Sequence, residues 1–318
     1  MASPSDWLEG ARLRTLPAAM APVLLGTAAA VQLGQWSAVR AVLALAVALL
    51  LQIGVNFSND YSDGIRGTDD NRQGPPRLTG GGLAAPRTVL AAALGCFAAA
   101  GLAGLVLVVL SGQWVLVAVG VCAVAAAWFY TGGRHPYGYL GIGLSELMVF
   151  VFFGLVATVG TTVTQTPSAP WWVWSLASGV GLLSVSLLMV NNIRDIPTDR
   201  EAGKRTVAVR LGERGSRAAY VALLAGAVVL AGVSLWHVVV TPAGSAATTV
   251  GSSLLHTGAA GTWAVGGATV ILALGAAVPA RRVISGQTGR ALIPALRDTG
   301  LYTLMWAVVC AALLAASA

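Results

Sequence analysis

The sequence has 318 residues, of which 56% are hydrophobic and only 10% are charged. Its mean hydropathy is +0.77, whereas soluble globular domains carry about a quarter of charged residues. This composition excludes a soluble enzyme and indicates a membrane protein with no separate soluble domain. Cys96, Cys122 and Cys310 each stand alone in an apolar stretch, so their spacing does not indicate a metal site.

Apolar stretches of about 20 residues, the length that a helix needs to cross a bilayer, recur along the whole chain. They predict an all-α, polytopic membrane protein with about nine transmembrane helices, near residues 16–33, 38–57, 88–110, 113–130, 143–163, 171–191, 215–236, 262–280 and 299–317. The uncharged segment 238–262 is rich in Gly, Ser, Thr and Ala, and we interpret it as a loop.

The charged residues test this arrangement, because basic residues in short loops stay on the cytoplasmic side. When the loops are numbered alternately, every basic residue except Arg40 falls on one side, together with all the acidic residues. The opposite side carries Trp171, Trp172 and Trp174, which are typical of an interfacial aromatic belt. We expect a multi-pass protein of the bacterial inner (cell) membrane with its N-terminus in the cytoplasm and its C-terminus outside.

This arrangement predicts a single transmembrane domain over residues 1–318. Residues 1–15 form a cytoplasmic N-terminal segment, and two cytoplasmic loops, 58–87 and 192–214, carry the polar motifs. The first motif has four oxygen-bearing side chains: Asn56, Asn59, Asp60 and Asp63. Their spacings of three and four place them on one face if the helix continues through Asp63. Three arginines follow this motif: Arg66, Arg72 and Arg77.

The second motif follows the sixth predicted span and contains Asn191, Asn192, Asp195 and Asp199. Three of its members are spaced by four and share a helical face, although Pro197 should kink or loosen that turn. Lys204 and Arg205 come directly after it. Four membrane crossings separate the two motifs. Both motifs therefore lie on the same side of the membrane, where the helices could bring them face to face.

Carboxylate and amide oxygens are the ligands that Mg²⁺ selects, and Mg²⁺ usually binds through one or two carboxylates plus substrate phosphates. Two such motifs, each followed by Arg or Lys, predict a site for Mg²⁺ and a diphosphate. The basic side chains would add charge-assisted hydrogen bonds, and such a site stabilises diphosphate as a leaving group. The alternative is that these acids are ordinary juxtamembrane charges, solvated and balanced by neighbouring arginines.

A third polar region, residues 130–141, contains Tyr130, Arg134 and Tyr137 among several glycines and one proline. This composition predicts a tight turn, and the tyrosines are equally typical of interfacial anchors. Glu146 lies just inside the fifth predicted span, where an ionisable group is costly and is therefore a functional candidate. The alternative for Glu146 is a position at the membrane edge, paired with a nearby arginine.

With these motifs the chain resembles the UbiA superfamily of intramembrane aromatic prenyltransferases. Residues 59–63 (Asn-Asp-Tyr-Ser-Asp) match the first motif of that superfamily, and residues 191–199 with 203–206 match the second. The resemblance begins at residues 12–17 and reaches the last span. Within the superfamily, three segments resemble the MenA-like branch, the 1,4-dihydroxy-2-naphthoate polyprenyltransferases: residues 74–77, 130–133 and 136–141.

The resemblance implies a UbiA-like helical bundle around a central cavity open to the cytoplasmic side. It implies Mg²⁺ held by Asp60, Asp63, Asp195 and Asp199, and we add Asn56 as a candidate ligand. The metal would draw off diphosphate, and the ring of 1,4-dihydroxy-2-naphthoate would attack the allylic cation. Loss of the carboxylate and a ring proton would give demethylmenaquinone, in menaquinone biosynthesis. Tyr130 and Glu146 are further catalytic candidates, and the other polar residues named above are candidates for substrate binding.

The expected partners are a polyprenyl diphosphate, 1,4-dihydroxy-2-naphthoate and the lipid bilayer, and no nucleic acid is expected. A prenyltransferase for another aromatic acceptor, such as 4-hydroxybenzoate or homogentisate, stays open. A secondary transporter is a weaker alternative, because transporters favour charges near the bilayer midplane and here the charges gather at one surface. A lipid-binding or structural membrane protein would need no paired Asn/Asp faces.

Overall fold

A computed structural model of the protein describes residues 2–68, 77–240 and 258–318. Throughout these residues the only regular secondary structure is helical, which confirms the predicted all-α class. The α-helices are α1 Pro4–Ala11, α2 Leu16–Gln32, α3 Ala38–Ile65, α4 Pro86–Ser111, α5 Val115–Thr131, α6 Leu144–Val149, α7 Ala157–Val163, α8 Trp171–Glu201, α9 Val207–Val239, α10 Gly258–Ile284 and α11 Ile293–Ala316. A π-helix, Phe150–Val156, joins α6 to α7 without a break.

The lengths of these helices match a membrane-spanning bundle. Within the described ranges, eight helical segments are long and apolar enough to cross a membrane, with α1 and α2 counted together and α6 to α7 counted as one. The remaining predicted span is α5, an apolar helix of 17 residues. At 1.5 Å per residue α5 extends about 26 Å, close to the thickness of the hydrocarbon layer. The protein is therefore a multi-pass membrane protein.

Several helix boundaries differ from the prediction. Residues 58–65 continue α3 and residues 192–201 continue α8, so both polar motifs lie on helices, as their spacings of three and four indicated, and the predicted loops 58–87 and 192–214 begin later than expected. At the end of α3, partners elsewhere in the chain satisfy the polar side chains of the last turns. The ends of the predicted loop 238–262 are helical as well, since α9 reaches Val239 and α10 begins at Gly258, and residues 241–257 lie outside the described residues.

The core of the bundle lies around α8, which packs against α9, α11 and the π-helix. Large side chains such as Leu183, Tyr220 and Trp306 fill the space between α8, α9 and α11 and are fully buried. Small residues allow closer contacts elsewhere. A Cβ atom on Gly154 of the π-helix would lie 2.4 Å from the Cα of Gly181 in α8. Such contacts between small residues replace the hydrophobic effect in helix association within lipid.

The N-terminal helix α1 is a short, capped helix that lies against the end of α3. Ser3 and Asp6 form a capping box at its start, and the ring of Trp7 meets Phe57 edge-on at 5.5 Å. Arg12 ends α1 in the left-handed conformation, with φ of 54°, and turns the chain into α2. A positive φ at a residue other than glycine is uncommon, and here it marks the break between α1 and the chain that leads to α2.

Candidate active site

The two asparagines of the first motif fasten α3 to its neighbours. The side-chain amide of Asn56 donates to the carbonyl of Ala11 at 2.9 Å, at the junction of α1 and α2. The Asn59 oxygen accepts a hydrogen bond from Thr131 Oγ1 at 2.8 Å, at the end of α5. Both asparagines are buried. Their side-chain amides therefore hold the α1–α2 junction and the end of α5 against the end of α3.

Asp60 anchors the chain segment that begins at residue 77. Its carboxylate has no exposed surface. The backbone N–H of Leu78 donates to Oδ2 at 2.9 Å, and the backbone N–H of Thr79 donates to Oδ1 at 2.8 Å. Both oxygens of Asp60 are therefore engaged by backbone donors. Each carboxylate oxygen can accept a second partner, so the expectation that Asp60 also binds Mg²⁺ stays a prediction.

Asp63 points to the third polar region. Its carboxylate accepts a hydrogen bond from the Tyr139 hydroxyl at 2.7 Å. Burial, with a smaller contribution from the charge of Asp63, raises the pKa of Tyr139 above its ordinary value, so the hydroxyl stays protonated and donates. The Tyr139 ring also lies under two cations, with Lys204 Nζ 5.2 Å and the Arg66 guanidinium 5.8 Å from its centroid.

The second motif lies on the last turns of α8, where Pro197 is accommodated without ending the helix. Arg194 donates to both oxygens of Asp195, at 2.7 and 2.5 Å. Asp199 Oδ1 lies 3.6 Å from Lys204 Nζ. The other oxygen of Asp199 is buried and has no hydrogen-bond partner among the described residues. This oxygen is available for a ligand.

The two motifs meet around Lys204. Burial alone would lower the pKa of Lys204, but the negative charges of Asp199 and Asp63, with a smaller effect of Asp195, outweigh burial and raise it. Asp63 and Asp199 also lie within electrostatic range of each other. The structure therefore brings carboxylates from the ends of α3 and α8 to one place, with a cation among them.

Tyr130 and Glu146 border the same space. Tyr130 lies within electrostatic range of Asp63, Glu146, Asp199 and Arg12. One oxygen of Glu146 is buried and has no hydrogen-bond partner within the described residues. The ring of Tyr137 packs edge-on against Tyr130 at 5.6 Å, and its hydroxyl donates to the Ala126 carbonyl at 2.8 Å. Tyr137 therefore supports Tyr130.

The remaining predicted site residues have different surroundings. Arg134 and Arg205 are exposed, and Arg66 donates to the Gly133 carbonyl. Arg77 and Asn192 are buried. Arg77 and Asn191 line a small cavity of about 50 Å³ beside the end of α1. Arg72 lies outside the described residues.

Residues 137–141 brace the segment that follows α8. The backbone N–H of Arg205 donates to the Tyr139 carbonyl at 3.0 Å, and the Arg210 side chain donates to the Leu140 carbonyl at 2.8 Å. Gly141 has φ of 62°, and a Cβ atom there would lie 1.8 Å from the Arg205 carbonyl oxygen. Only glycine fits this close approach of two backbones.

Among the residues with contacts in this site, Arg12, Tyr139 and Arg194 are examples that were absent from the predicted site residues. Arg194 stands beside Asp195 in the motif, and Tyr139 lies in the glycine-rich turn, so position alone could have indicated both. Arg12 has a positive φ and lies within electrostatic range of Tyr130, and neither feature has a signature in the sequence.

The carboxylates of the two motifs suit a Mg²⁺ ion whose remaining coordination positions are filled by a bound ligand and water. No group of three His, Cys, Asp or Glu side chains converges as a complete metal site within residues 2–68, 77–240 and 258–318. Mg²⁺ commonly completes its shell with phosphate oxygens and water, so one or two carboxylates suffice. The buried free oxygen of Asp199, near Asp63 and Asp195, suits such a hard cation.

The helical bundle has the fold of solved structures of UbiA homologues. The fold is similar to the apo structure of a UbiA homologue from Aeropyrum pernix K1, with a TM-score of 0.62 and 17% identity over 93% of this chain and 96% of that one. It is also similar to a UbiA homologue from Archaeoglobus fulgidus bound to DMAPP and Mg²⁺, with a TM-score of 0.60 and 15% identity over 95% and 98% of the two chains.

Sequence comparison agrees with the fold. The UbiA prenyltransferase family matches residues 19–290, and the chain therefore belongs to this family, as its motifs predicted. The chain is 51% identical to the 1,4-dihydroxy-2-naphthoate octaprenyltransferase of Mycobacterium tuberculosis, over 99% of this chain and 98% of that protein. It is 47% identical to the protein of the same name from Mycobacterium leprae, over 98% and 96% of the two chains.

Proposed function

We propose that this protein transfers a polyprenyl group from a polyprenyl diphosphate to 1,4-dihydroxy-2-naphthoate, with loss of the carboxylate as CO₂. The observation that carries this proposal is the 51% identity to the Mycobacterium tuberculosis enzyme over nearly the whole length of both chains. The same comparison favours naphthoate over 4-hydroxybenzoate or homogentisate as the acceptor.

Asp63, Asp195 and Asp199 are the residues that would hold Mg²⁺ in this protein. When bound, Mg²⁺ neutralises negative charge on the diphosphate oxygens and so makes diphosphate a better leaving group. We assign Asp60 and Asn56 a supporting role, because Asp60 has no exposed surface and the polar atoms of both residues bind the backbone of residues 78–79 and 11. Asp195 is paired with Arg194, but 13% of its side-chain surface stays exposed. Lys204, which lies among the carboxylates, would donate to the diphosphate.

The transfer makes one carbon–carbon bond and conserves the proton count. The C1–O bond of the donor breaks with its electron pair on the diphosphate, and an electron-rich ring carbon forms the new bond. That carbon releases a proton, and a proton replaces the departing CO₂, so the product is the naphthoquinol form of demethylmenaquinone. Glu146, with its buried free oxygen near Tyr130, is the group that would accept and return the proton.

We infer the orientation of the protein in the membrane from the distribution of its basic residues. We place the N-terminus and both aspartate motifs in or at the cytoplasm and the C-terminus outside, because all basic residues except Arg40 fall on the motif side of the predicted spans. Both charged substrates would then approach from the cytoplasm, and the prenyl tail would lie between helices, open to lipid.

Product formation by the purified protein tests this function. The protein in detergent is given a long-chain prenyl diphosphate and 1,4-dihydroxy-2-naphthoate, first with Mg²⁺ and then with EDTA. We expect prenylated naphthoquinol only with Mg²⁺. Asp199→Asn should abolish product, whereas Glu201→Gln, an exposed acid on the same helix, should not. Product from another aromatic acid alone would overturn the acceptor, and equal rates in EDTA would overturn the metal assignment.

A further inference from the structure

An open cleft of about 620 Å³ lies outside the site described above, between α1 and the corner at which α10 meets α11. Four apolar side chains line it: Leu8, Leu13, Ile293 and Pro294. Three arginines stand with them: Arg14, Arg282 and Arg297. The volume falls within the range of about 300–1,000 Å³ that small-molecule pockets occupy. The cleft is therefore large enough for a bicyclic aromatic ligand.

The cleft carries an excess of positive charge. Among the described residues, Glu9 is the single acid in its lining, against three guanidinium groups. Arg282 and Arg297 both bind Asp298 beneath them, at 2.7 and 3.2 Å, yet 43% and 64% of their side-chain surfaces stay exposed. A guanidinium presents paired donors that match a carboxylate. Apolar walls beside exposed guanidinium groups fit a flat aromatic acid.

The cleft continues towards the aspartate motifs. It shares Glu9 and Arg14 with the inner cavity of about 50 Å³, whose lining also includes Arg12 and Asn191. Asn191 belongs to the second motif, and Arg12 lies within electrostatic range of Tyr130. The inner cavity has room for a few water molecules at most, so an aromatic ring could pass only if its walls moved.

The Glu9–Arg14 ion pair stands where the cleft and the inner cavity meet. Its side chains are 48% and 31% exposed. Exposed ion pairs contribute little to stability, because water screens them. This pair can therefore open at small cost, and an incoming carboxylate could take the place of Glu9 beside Arg14.

We propose that this cleft is the entrance for the aromatic carboxylate acceptor and that the Glu9–Arg14 pair closes its inner end. The identity of the acceptor as a naphthoate rests on the proposed function. An anionic phospholipid is the alternative ligand, because it too carries a negative charge on an apolar body. The continuation of the cleft to Asn191 favours the acceptor, because a lipid headgroup needs no path to the second motif.

Charge reversal at the rim tests the proposal in the full-length protein. Arg297→Glu removes the most exposed of the cleft cations, and Arg281→Glu is a matched control, because Arg281 is exposed nearby but does not line the cleft. Binding of fluorescent 1-hydroxy-2-naphthoate is measured without donor, and KM is measured for each substrate. For Arg297→Glu we expect the naphthoate Kd and the acceptor KM to rise about tenfold. The donor KM and kcat should stay within about twofold, and the control should match wild type.

Arg297→Gln is a second variant, for the case that Arg297→Glu lowers stability. It removes the charge without reversing it, so the naphthoate Kd and the acceptor KM should rise less, in the same direction. An unchanged naphthoate Kd in both variants, or an equal rise in the KM of donor and acceptor, would overturn the proposal. Activation by phosphatidylglycerol nanodiscs that is lost in Arg297→Glu, with an unchanged naphthoate Kd, would identify a lipid site instead. If naphthoate binding depends on Arg297 but wild type does not turn naphthoate over, the proposed function would be rejected, while the cleft would still be a binding site for an aromatic carboxylate.

Discussion

The substitution Asp60→Asn tests whether the Asp60 carboxylate has a structural role, in contrast to the proposed metal-binding role of Asp63. Asp60 is fully buried, and its two oxygens accept backbone N–H groups from Leu78 and Thr79 at 2.9 and 2.8 Å. Asparagine offers one oxygen and one amide, so one of the two backbone donors would face another donor. We therefore expect Asp60→Asn to destabilise the protein as well as to reduce its activity.

The size of this effect follows from the lost interactions. A hydrogen bond to a charged group contributes about 1.5–3 kcal/mol, and leaving a buried donor unsatisfied costs about 1–3 kcal/mol. The remaining hydrogen bond also becomes neutral, while relaxation recovers part of the loss, so a net destabilisation of about 2–4 kcal/mol is expected. At about 2 °C per kcal/mol for a chain of this size, Tm should fall by about 4–8 °C.

Thermal unfolding in detergent checks this magnitude, with Asp63→Asn as the matched comparison. Asparagine at position 63 keeps an oxygen that can accept the Tyr139 hydroxyl, so Tm should change by less than about 2 °C. Turnover of Asp63→Asn should nevertheless be abolished, since that carboxylate is a proposed metal ligand. An unchanged Tm for Asp60→Asn, or equal losses of Tm in both variants, would refute the different roles assigned to the two aspartates.

Two further predictions concern the turn that braces the aspartates. Tyr139→Phe removes the hydroxyl that orients Asp63 and should lower kcat/KM for the prenyl diphosphate about tenfold, whereas a rise in the acceptor KM alone would contradict this role. Gly141→Ala places a Cβ 1.8 Å from the Arg205 carbonyl and should lower Tm by at least about 4 °C. Gly143 also has a positive φ but has open space around it, so Gly143→Ala should lower Tm by less. Equal losses of Tm in the two variants would show that both come from backbone strain at positive φ and not from the contact with Arg205.

The spacing of the first motif illustrates how far the sequence reaches. Periods of three and four place Asn56, Asp60 and Asp63 on one helical face, because the α-helix has 3.6 residues per turn. The helix does continue through Asp63 and ends at Ile65. The sequence could not distinguish Asp60 from Asp63, since the backbone donors of Asp60 lie 18 and 19 residues away and the Tyr139 hydroxyl lies 76 residues from Asp63. No local pattern encodes such contacts.

The sequence by itself determined the helical bundle and the gathering of its charged residues near the ends of the helices. Lipid offers no partner for backbone polar groups, so each long apolar run must form a helix, and charged residues must remain at its ends. Only the tertiary structure decided which carboxylate oxygens are used by the protein and which stay free. The approach of Lys204 to Asp63, and the joining of the outer cleft to Asn191, depend on how helices distant in sequence pack together.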